Sequence, residues 1–319
     1  MLGIVNRGLQ QGLQVTWTLG KVIFPITLIV TILQYTPILP WIIDLLSPVM
    51  GVLGLSGEAA VPLVLGNALN LYAAIGAIVS FDFTVKEVFT MAVMLSFSHN
   101  LFIESTVASR VGVSWWLISG IRIGLALIAS IIINLFWHGG SQPAQYGLIS
   151  SEDEFLNHWT DIIFHGLQTA LIAVIQLAVI VIILMIIMQY LREKGWLDQL
   201  SNLLSPFTRM LGMEKNTSMT LVAGLTVGLA FGAGLMIQAV KEDGVSRRDM
   251  HLALIFLVSC HAVVEDTVIF IPLGIPVWPL LLIRLVTAII LTIIVSFVWD
   301  RIDERKRKDK RHEHSYSSF

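Results

Sequence analysis

Eight long apolar stretches dominate the sequence and constrain its fold more than any other feature. One helical crossing of a bilayer needs about 20 consecutive apolar residues. The stretches cover residues 16–35, 61–79, 85–107, 114–137, 165–190, 220–240, 250–271 and 276–298. With 55% hydrophobic and only 13% charged residues, the chain is far more apolar than an average soluble domain. These features predict an all-α polytopic membrane protein whose environment is the lipid bilayer.

The sequence also contains an internal duplication. Residues 45–55, LLSPVMGVLGL, align without a gap on residues 203–213, LLSPFTRMLGM. Further along, the alignment pairs His99 with His261, Glu104 with Asp266, Trp116 with Trp278 and Arg122 with Arg284. The chain is therefore predicted to consist of two repeats, residues 16–137 and 161–299.

Three polar segments flank these repeats. In residues 1–15, apolar side chains recur at every fourth position from Val5 onwards, which predicts an interfacial amphipathic helix. Residues 138–160 are acidic and contain no lysine or arginine, and are predicted to be an extracytoplasmic linker. Residues 300–319 hold seven of the twenty Lys and Arg residues and are predicted to be a basic cytoplasmic tail.

The distribution of basic residues favours a particular topology. If the second stretch of each repeat enters the membrane and returns on the same side, seventeen of the twenty Lys and Arg residues become cytoplasmic. Each repeat then has three transmembrane helices plus a re-entrant helical hairpin, and an odd number of crossings makes the two repeats inverted. Both termini are predicted to be cytoplasmic, in a multi-pass protein of the cell membrane.

Glycine and asparagine interrupt the two predicted hairpins, at Gly66, Asn67, Asn70, Gly76, Gly224, Gly228, Gly232 and Gly234. Irregular backbone at membrane depth occurs only where protein or a water-filled cavity satisfies its polar groups. A ridge of small residues for close helix packing is the alternative interpretation.

Ionisable and polar residues inside the apolar stretches form the candidate site. A charged side chain at the bilayer centre costs several kcal/mol, so it indicates a function by default. The predicted substrate-binding residues are Asn67, Asn70, Ser98, His99, Asn100, Glu104, His261, Glu265 and Asp266, with Arg122 and Arg284 as charge partners. Because His99 and Glu104 are five positions apart, about 140° on an ideal helix, they converge only if the helix unwinds. Buried ion pairs that merely fix helix packing remain an alternative.

The same residues do not predict an enzyme. Ser98 precedes His99 and Cys260 precedes His261, but adjacent helical residues diverge by about 100° and cannot form a local nucleophile–base pair. Imidazole and carboxylate ligands suit ferrous iron, manganese or zinc, yet there is no thiolate pair or local HxxxH spacing, and no metal ligand is assigned. No resident cofactor is predicted, with H⁺ or Na⁺ as an optional coupling ion.

Several motifs resemble a known family. Gly57-Glu58-Ala59 precedes an apolar segment that glycine interrupts, and Ser98-His99 follows with Glu104 downstream. Both features have counterparts in the second repeat. In these features the chain resembles membrane proteins with nucleoside-recognition (gate) domains. That family is related to concentrative nucleoside transporters, the membrane part of ferrous iron transporters and spore maturation proteins. The resemblance implies a permease core with a solute site between two repeats.

The predicted function is a secondary transporter of a small polar or anionic organic solute, nucleoside-like compounds being one option, with a solute site at the interface of two inverted repeats. Two alternatives remain open. One is a non-transporting membrane protein that binds a ligand or partner in envelope or spore assembly, and the other is a divalent metal permease. Besides the lipid bilayer and the solute, the expected partner is a second copy of the chain in a homo-oligomer, and nucleic acid is not an expected partner.

Overall fold

The computed structural model describes residues 2–146, 158–195, 206–229 and 244–316, together with residues 199 and 236. In the first half, the helices are α1 Leu2–Gln34, α2 Ile38–Val52, α3 Ala60–Ala68, α4 Leu71–Ile78, α5 Val85–Ser98, α6 Leu101–Arg110 and α7 Trp115–Phe136. In the second half, they are α8 Trp159–Glu193, α9 Ser218–Val227, α10 Arg247–Ser259, α11 Glu265–Val268 and α12 Val277–Tyr316. Three short 3₁₀ turns lie at Gly57–Ala59, Lys215–Thr217 and Ile271–Leu273. Over these residues the protein is helical, as predicted.

Helices α1 and α8 form an antiparallel pair along most of their length. A methyl group added to Gly12 would lie 2.8 Å from the backbone of Ile182, whereas one added to Gly166 would lie 2.9 Å from the side chain of Leu28. Glycine thus allows the two backbones to approach closely. At one end, Arg7 pairs with Glu193 at 2.6 Å. The predicted domain boundary at residue 15 does not coincide with a helix end, since α1 continues unbroken to Gln34.

Three helices are long and apolar enough to cross a membrane, among the residues that the structure describes. Their spans are Trp115–Phe136, Trp159–Ile187 and Val277–Ile302. The bent pair Ile23–Gln34 and Ile38–Val52, with an angle of 91° between its helices, passes the same test as one unit. The chain is therefore an all-α membrane protein.

Two predicted crossings are not continuous helices, which corrects the sequence prediction. The stretch 85–107 is divided into α5 and α6, and the stretch 250–271 is divided into α10, α11 and a 3₁₀ turn. Apolar composition along a stretch shows that it avoids water, but it does not show whether its backbone hydrogen bonds are internal or made to neighbours.

The stretch 61–79 is a helical hairpin of α3 and α4, broken at Leu69 and Asn70. The side chain of Asn70 accepts a hydrogen bond from the N–H of Ala73 at 2.9 Å and so caps α4. Gly66 of α3 lies against Ala74 of α4, because an added methyl group would be 2.8 Å from the Ala74 Cβ. In the matching stretch 220–240, residues 230–235 and 237–240 lie outside the described residues, as do the acidic residues 152–154 of the linker.

Both halves begin their central helix with the same cap. Thr84 and Glu87 form a capping box at the start of α5, while Ser246 accepts a hydrogen bond from the N–H of Asp249 at the start of α10. The capping acid also accepts a hydrogen bond from the backbone N–H that precedes the nearby 3₁₀ turn, at 3.0 Å from Ser56 and 3.2 Å from Glu214. Both caps therefore place a Thr or Ser three residues before an acid, a pattern typical of helix N-termini.

Candidate functional site

The first helix break of the site separates α5 from α6 at His99 and Asn100. Asn100 has a left-handed backbone, with φ 50°, which asparagine tolerates better than most residues. Its N–H donates to the carbonyl oxygen of Gly66 at 2.8 Å, so the α3–α4 hairpin accepts a hydrogen bond that the helix no longer makes. The convergence of His99 with Glu104 required the helix to unwind, and it unwinds here.

The second break separates α10 from α11. Ala262 has φ 42°, which is uncommon for a residue with a Cβ atom. Its N–H donates to the carbonyl oxygen of Gly224 at 3.0 Å. The next N–H, that of Val263, donates to Leu225 at 2.7 Å. Neighbouring helices therefore hold both breaks in place, and the strained conformation persists because the surrounding structure fixes it.

The two histidines lie at the ends of α5 and α10 with the same hydrogen-bonding pattern. His99 Nδ1 is 2.7 Å from the carbonyl oxygen of Leu95, and His261 Nδ1 is 2.8 Å from that of Leu257. A carbonyl oxygen can only accept, so each Nδ1 carries the proton and each neutral ring keeps Nε2 as an acceptor. The ring centroids are 5.2 Å apart. Two imidazole acceptors, one from each half, thus lie side by side.

Two carboxylates join the histidines. Glu104 lies 3.5 Å from His99 Nε2 and 3.3 Å from His261 Nε2. Asp266 lies 3.6 Å from His261 Nε2 and 4.0 Å from His99 Nε2. All four side chains are buried. We call His99, Glu104, His261 and Asp266 the His–carboxylate cluster. Each of its two carboxylates contacts one histidine from each half.

Both predicted charge partners are fully buried beside this cluster. Arg122 pairs with Glu104 at 2.7 Å and donates to the carbonyl oxygens of Phe97 and His99 at 2.7 and 2.6 Å. Arg284 pairs with Asp266 at 3.0 Å and donates to the carbonyl oxygen of His261 at 2.5 Å. Each arginine therefore neutralises a carboxylate and also satisfies backbone carbonyl groups at the broken helix end.

A small cavity of about 80 Å³ adjoins the cluster. Its lining is formed by Asn70, Leu71, Tyr72, His99, Asn100, Glu104, Gly228, Leu229, His261, Ala262, Glu265 and Asp266. Neither arginine belongs to this lining. The Tyr72 hydroxyl of α4 donates to the Glu265 carboxylate of α11, so a second polar contact joins the two halves across the cavity.

The remaining predicted residues have different positions. Asn70 and Asn100 line the cavity. Asn67 donates to the carbonyl oxygen of Leu63 at 2.8 Å, and Ser98 donates to that of Met94 at 2.9 Å. These last two side chains hydrogen-bond within their own helices and are absent from the cavity lining, so the structure does not place them with the others.

Sequence reasoning missed Tyr72, whose hydroxyl is the only phenolic group in the cavity lining that the structure describes. A single tyrosine within an otherwise apolar hairpin was the available signal, because a buried hydroxyl needs a partner. Glu58, a residue of the family motif, lies in the Gly57–Ala59 turn and is absent from the cavity lining. Burial and the charges of Glu87 and Asp82 raise the pKa of Glu58.

Broken helices, buried ion pairs and apolar spans define a helical membrane protein with a polar site in its interior. The chain matches the Gate family, described as nucleoside recognition, over residues 16–114 and 174–276. It therefore belongs to this family, and the predicted resemblance is confirmed. The family is associated with nucleoside transport or with spore maturation membrane proteins, and is transporter-like rather than enzymatic.

A relative extends this relationship over nearly the whole chain. The membrane protein YvoD of Bacillus subtilis (strain 168) is 61% identical over 301 residues, which cover 94% of this chain and 96% of the relative. Since the match covers 94% of the chain, it includes both halves.

Proposed function

We propose that this protein is a secondary transporter of a small polar solute, with its binding site at the His–carboxylate cluster. The observation that carries this proposal is the convergence of Glu104 and His99 from the first half with His261 and Asp266 from the second on one buried cavity. Solute sites of secondary transporters lie near the membrane midplane between repeats and are built from discontinuous helices. Discontinuous helices from both halves meet where α5 and α10 end, which supports this proposal.

The arrangement favours a solute site over a purely structural ion-pair network. The two arginine–carboxylate pairs alone would neutralise Glu104 and Asp266. The histidines and Glu265 add further ionisable groups to the same cavity, and each buried polar group adds a desolvation cost that packing does not require. A function for these groups accounts for that cost.

The lining also bears on the kind of solute. Its ionisable groups include three carboxylates and two imidazole rings, whose Nε2 atoms are acceptors when the rings are neutral, whereas both arginines lie outside it. This lining supports a neutral or cationic polar solute better than an anionic one. Because a water molecule occupies about 30 Å³, the cavity of about 80 Å³ holds only a few waters, and a nucleoside-sized solute requires the two halves to separate.

We further propose that the two halves are inverted repeats with re-entrant hairpins, in the cell membrane with both termini in the cytoplasm. The contacts at the ends of the broken helices support the inversion. Val85, at the start of α5, lines one cavity together with Ile271 and Gly274, which follow α11. A second buried cluster contains Val111 and Val113, which follow α6, together with Val245 and Met250, which lie near the start of α10. The two central helices then enter from opposite ends and meet at their histidines.

A transport assay tests the permease proposal. In proteoliposomes, the wild-type protein is expected to exchange at least one compound from a pool of small polar solutes. The double variant His99→Ala/His261→Ala is expected to lose at least about nine-tenths of that uptake, since it removes both imidazole acceptors from the cavity. The matched control is His251→Ala, because His251 hydrogen-bonds to Arg247 at the start of α10 and lies outside the cavity lining. No exchange by the wild type, or equal uptake by the double variant, would favour a non-transporting binding protein.

A labelling experiment tests the hairpin. Single cysteines at Glu58 and Lys86 flank the α3–α4 hairpin, and a membrane-impermeant thiol reagent is expected to reach both from the same side. For the background, Cys260→Ala removes the native thiol, which is buried. A cysteine at Arg110, at the end of α6, is expected to label from the opposite side. Labelling of the Glu58 and Lys86 positions from opposite sides would overturn the re-entrant topology.

A further inference from the structure

The His–carboxylate cluster contains more hydrogen-bond acceptors than donors on the side that faces the cavity. The proton of each imidazole is on Nδ1, where it is donated to a backbone carbonyl oxygen. Both Nε2 lone pairs therefore lie 3.3–4.0 Å from carboxylate oxygens. Among the described residues, His261 Nε2 is buried without a hydrogen-bond partner, although the side chain is only 1% exposed. Acceptors that face one another at these distances need either a shared proton or a metal ion between them.

The geometry suits a metal ion. One nitrogen from His99, one from His261 and one oxygen from Asp266 all lie within 4.8 Å of one another. Zinc bonds of about 2.0–2.1 Å to nitrogen and oxygen place tetrahedral ligands about 3.3–3.4 Å apart. The observed separations of 3.6 and 4.0 Å between Asp266 and the two Nε2 atoms therefore need only a small contraction. Glu104, at 3.3 and 3.5 Å from the same nitrogens, is placed to supply a fourth ligand.

The groups around these ligands favour the same interpretation. Metal-binding histidines usually donate their other N–H to a carbonyl or carboxylate oxygen, which fixes the ring orientation. Leu95 and Leu257 supply such carbonyl oxygens here. Arg122 and Arg284 hydrogen-bond or pair with the two carboxylates from outside the cavity.

The charge balance also accommodates a cation. Among the described residues, the charged groups that face the cluster are the carboxylates of Glu104, Asp266 and Glu265 and the guanidinium groups of Arg122 and Arg284. Three negative and two positive charges leave one net negative charge around neutral imidazoles. A divalent ion would reduce the electrostatic repulsion among the carboxylates and imidazole lone pairs.

We propose that the protein binds one divalent transition-metal ion between its two halves, through His99, His261 and Asp266. Imidazole and carboxylate ligands favour an ion of the zinc, cobalt, manganese or ferrous class over calcium or magnesium. The ion would link the C-terminal ends of α5 and α10. This inference goes beyond the permease proposal, since it concerns binding and holds whether or not the ion is the transported solute.

Cobalt binding by the purified full-length protein tests the site, because Co²⁺ bound by nitrogen ligands in a tetrahedral site has a distinctive visible absorption. The background variant His312→Ala/His314→Ala removes the two histidines of the tail, and purification uses a tag without histidine. We expect one Co²⁺ per chain, displaced by Zn²⁺. His261→Ala and Asp266→Asn are each expected to weaken binding by at least about 100-fold, since loss of even an outer partner costs about 10–100-fold.

Two controls keep the result interpretable. His251→Ala lies outside the cluster and is expected to bind Co²⁺ as the background variant does. Thermal unfolding of each variant in detergent without metal shows whether the protein is folded. Absence of stoichiometric binding by the folded background variant would overturn the metal site and indicate a shared proton only. Equal binding by folded His261→Ala would also overturn it. Solute exchange in proteoliposomes is measured independently of Co²⁺ binding. Failure of the metal site and failure of the permease proposal are therefore separate results.

Discussion

Replacing Arg122 with alanine is expected to destabilise the protein by about 3–5 kcal/mol, because removing one partner of a buried ion pair leaves an uncompensated charge. Arg122 is fully buried and pairs with Glu104 at 2.7 Å. It also donates to the carbonyl oxygens of Phe97 and His99, which would lose their donors at the end of α5. The measurement is thermal or chemical unfolding of the purified protein in detergent.

Two further variants separate charge from packing in this prediction. Arg122→Ala combined with Glu104→Gln is expected to recover part of the lost stability, since the buried carboxylate is then neutral. Arg110→Ala is the matched control, because Arg110 is exposed at the end of α6 and its removal is expected to change stability little. If Arg122→Ala and Arg110→Ala cost the same, Arg122 does not stabilise the broken helix.

The second large effect is expected at Gly274, the turn that precedes α12. This residue has φ 68°, and a methyl group added to it would lie 2.5 Å from the carbonyl oxygen of Gln145. A left-handed backbone costs a non-glycine residue about 1–2 kcal/mol, and overpacking adds about 1–3 kcal/mol. Gly274→Ala is therefore expected to destabilise the protein by about 2–5 kcal/mol, measured by unfolding in detergent.

The duplication supplies the matched control for this prediction. Gly112 is the aligned glycine of the first half, and it has φ 90° with no atom within 4 Å of an added methyl group. Gly112→Ala should therefore cost only the backbone strain of about 1–2 kcal/mol. Equal losses at the two positions would show that the contact of Gly274 with Gln145 does not contribute to stability.

Much of the architecture could be predicted because membrane insertion imposes strong rules on sequence. Long apolar stretches indicate helices, and ionisable residues such as His99 and Arg122 stand out within them because their burial is costly. The capping acids Glu87 and Asp249 also lie only three residues after their partners Thr84 and Ser246. Local rules suffice wherever the interacting groups are close in sequence.

The helix breaks could not be located in this way. The N–H of Asn100 is satisfied by the carbonyl oxygen of Gly66, and that of Ala262 by Gly224. These partners are more than thirty positions distant in sequence, so no local pattern distinguishes a broken helix from a continuous one. The same limit applies to Tyr72, whose partner Glu265 lies in the other half of the chain.

By itself, the sequence indicated a helical membrane protein of the Gate family, predicted an internal duplication and singled out the ionisable residues within its apolar stretches. Hydropathy, spacing and the cost of burying charge are properties of single stretches, and they can be read without knowing which helices touch. Only the tertiary structure decided that the two histidines share one cavity with Glu104 and Asp266. The physical reason is that hydrogen bonds to helices far apart in the chain hold the breaks that follow α5 and α10. These two helices therefore end close to each other.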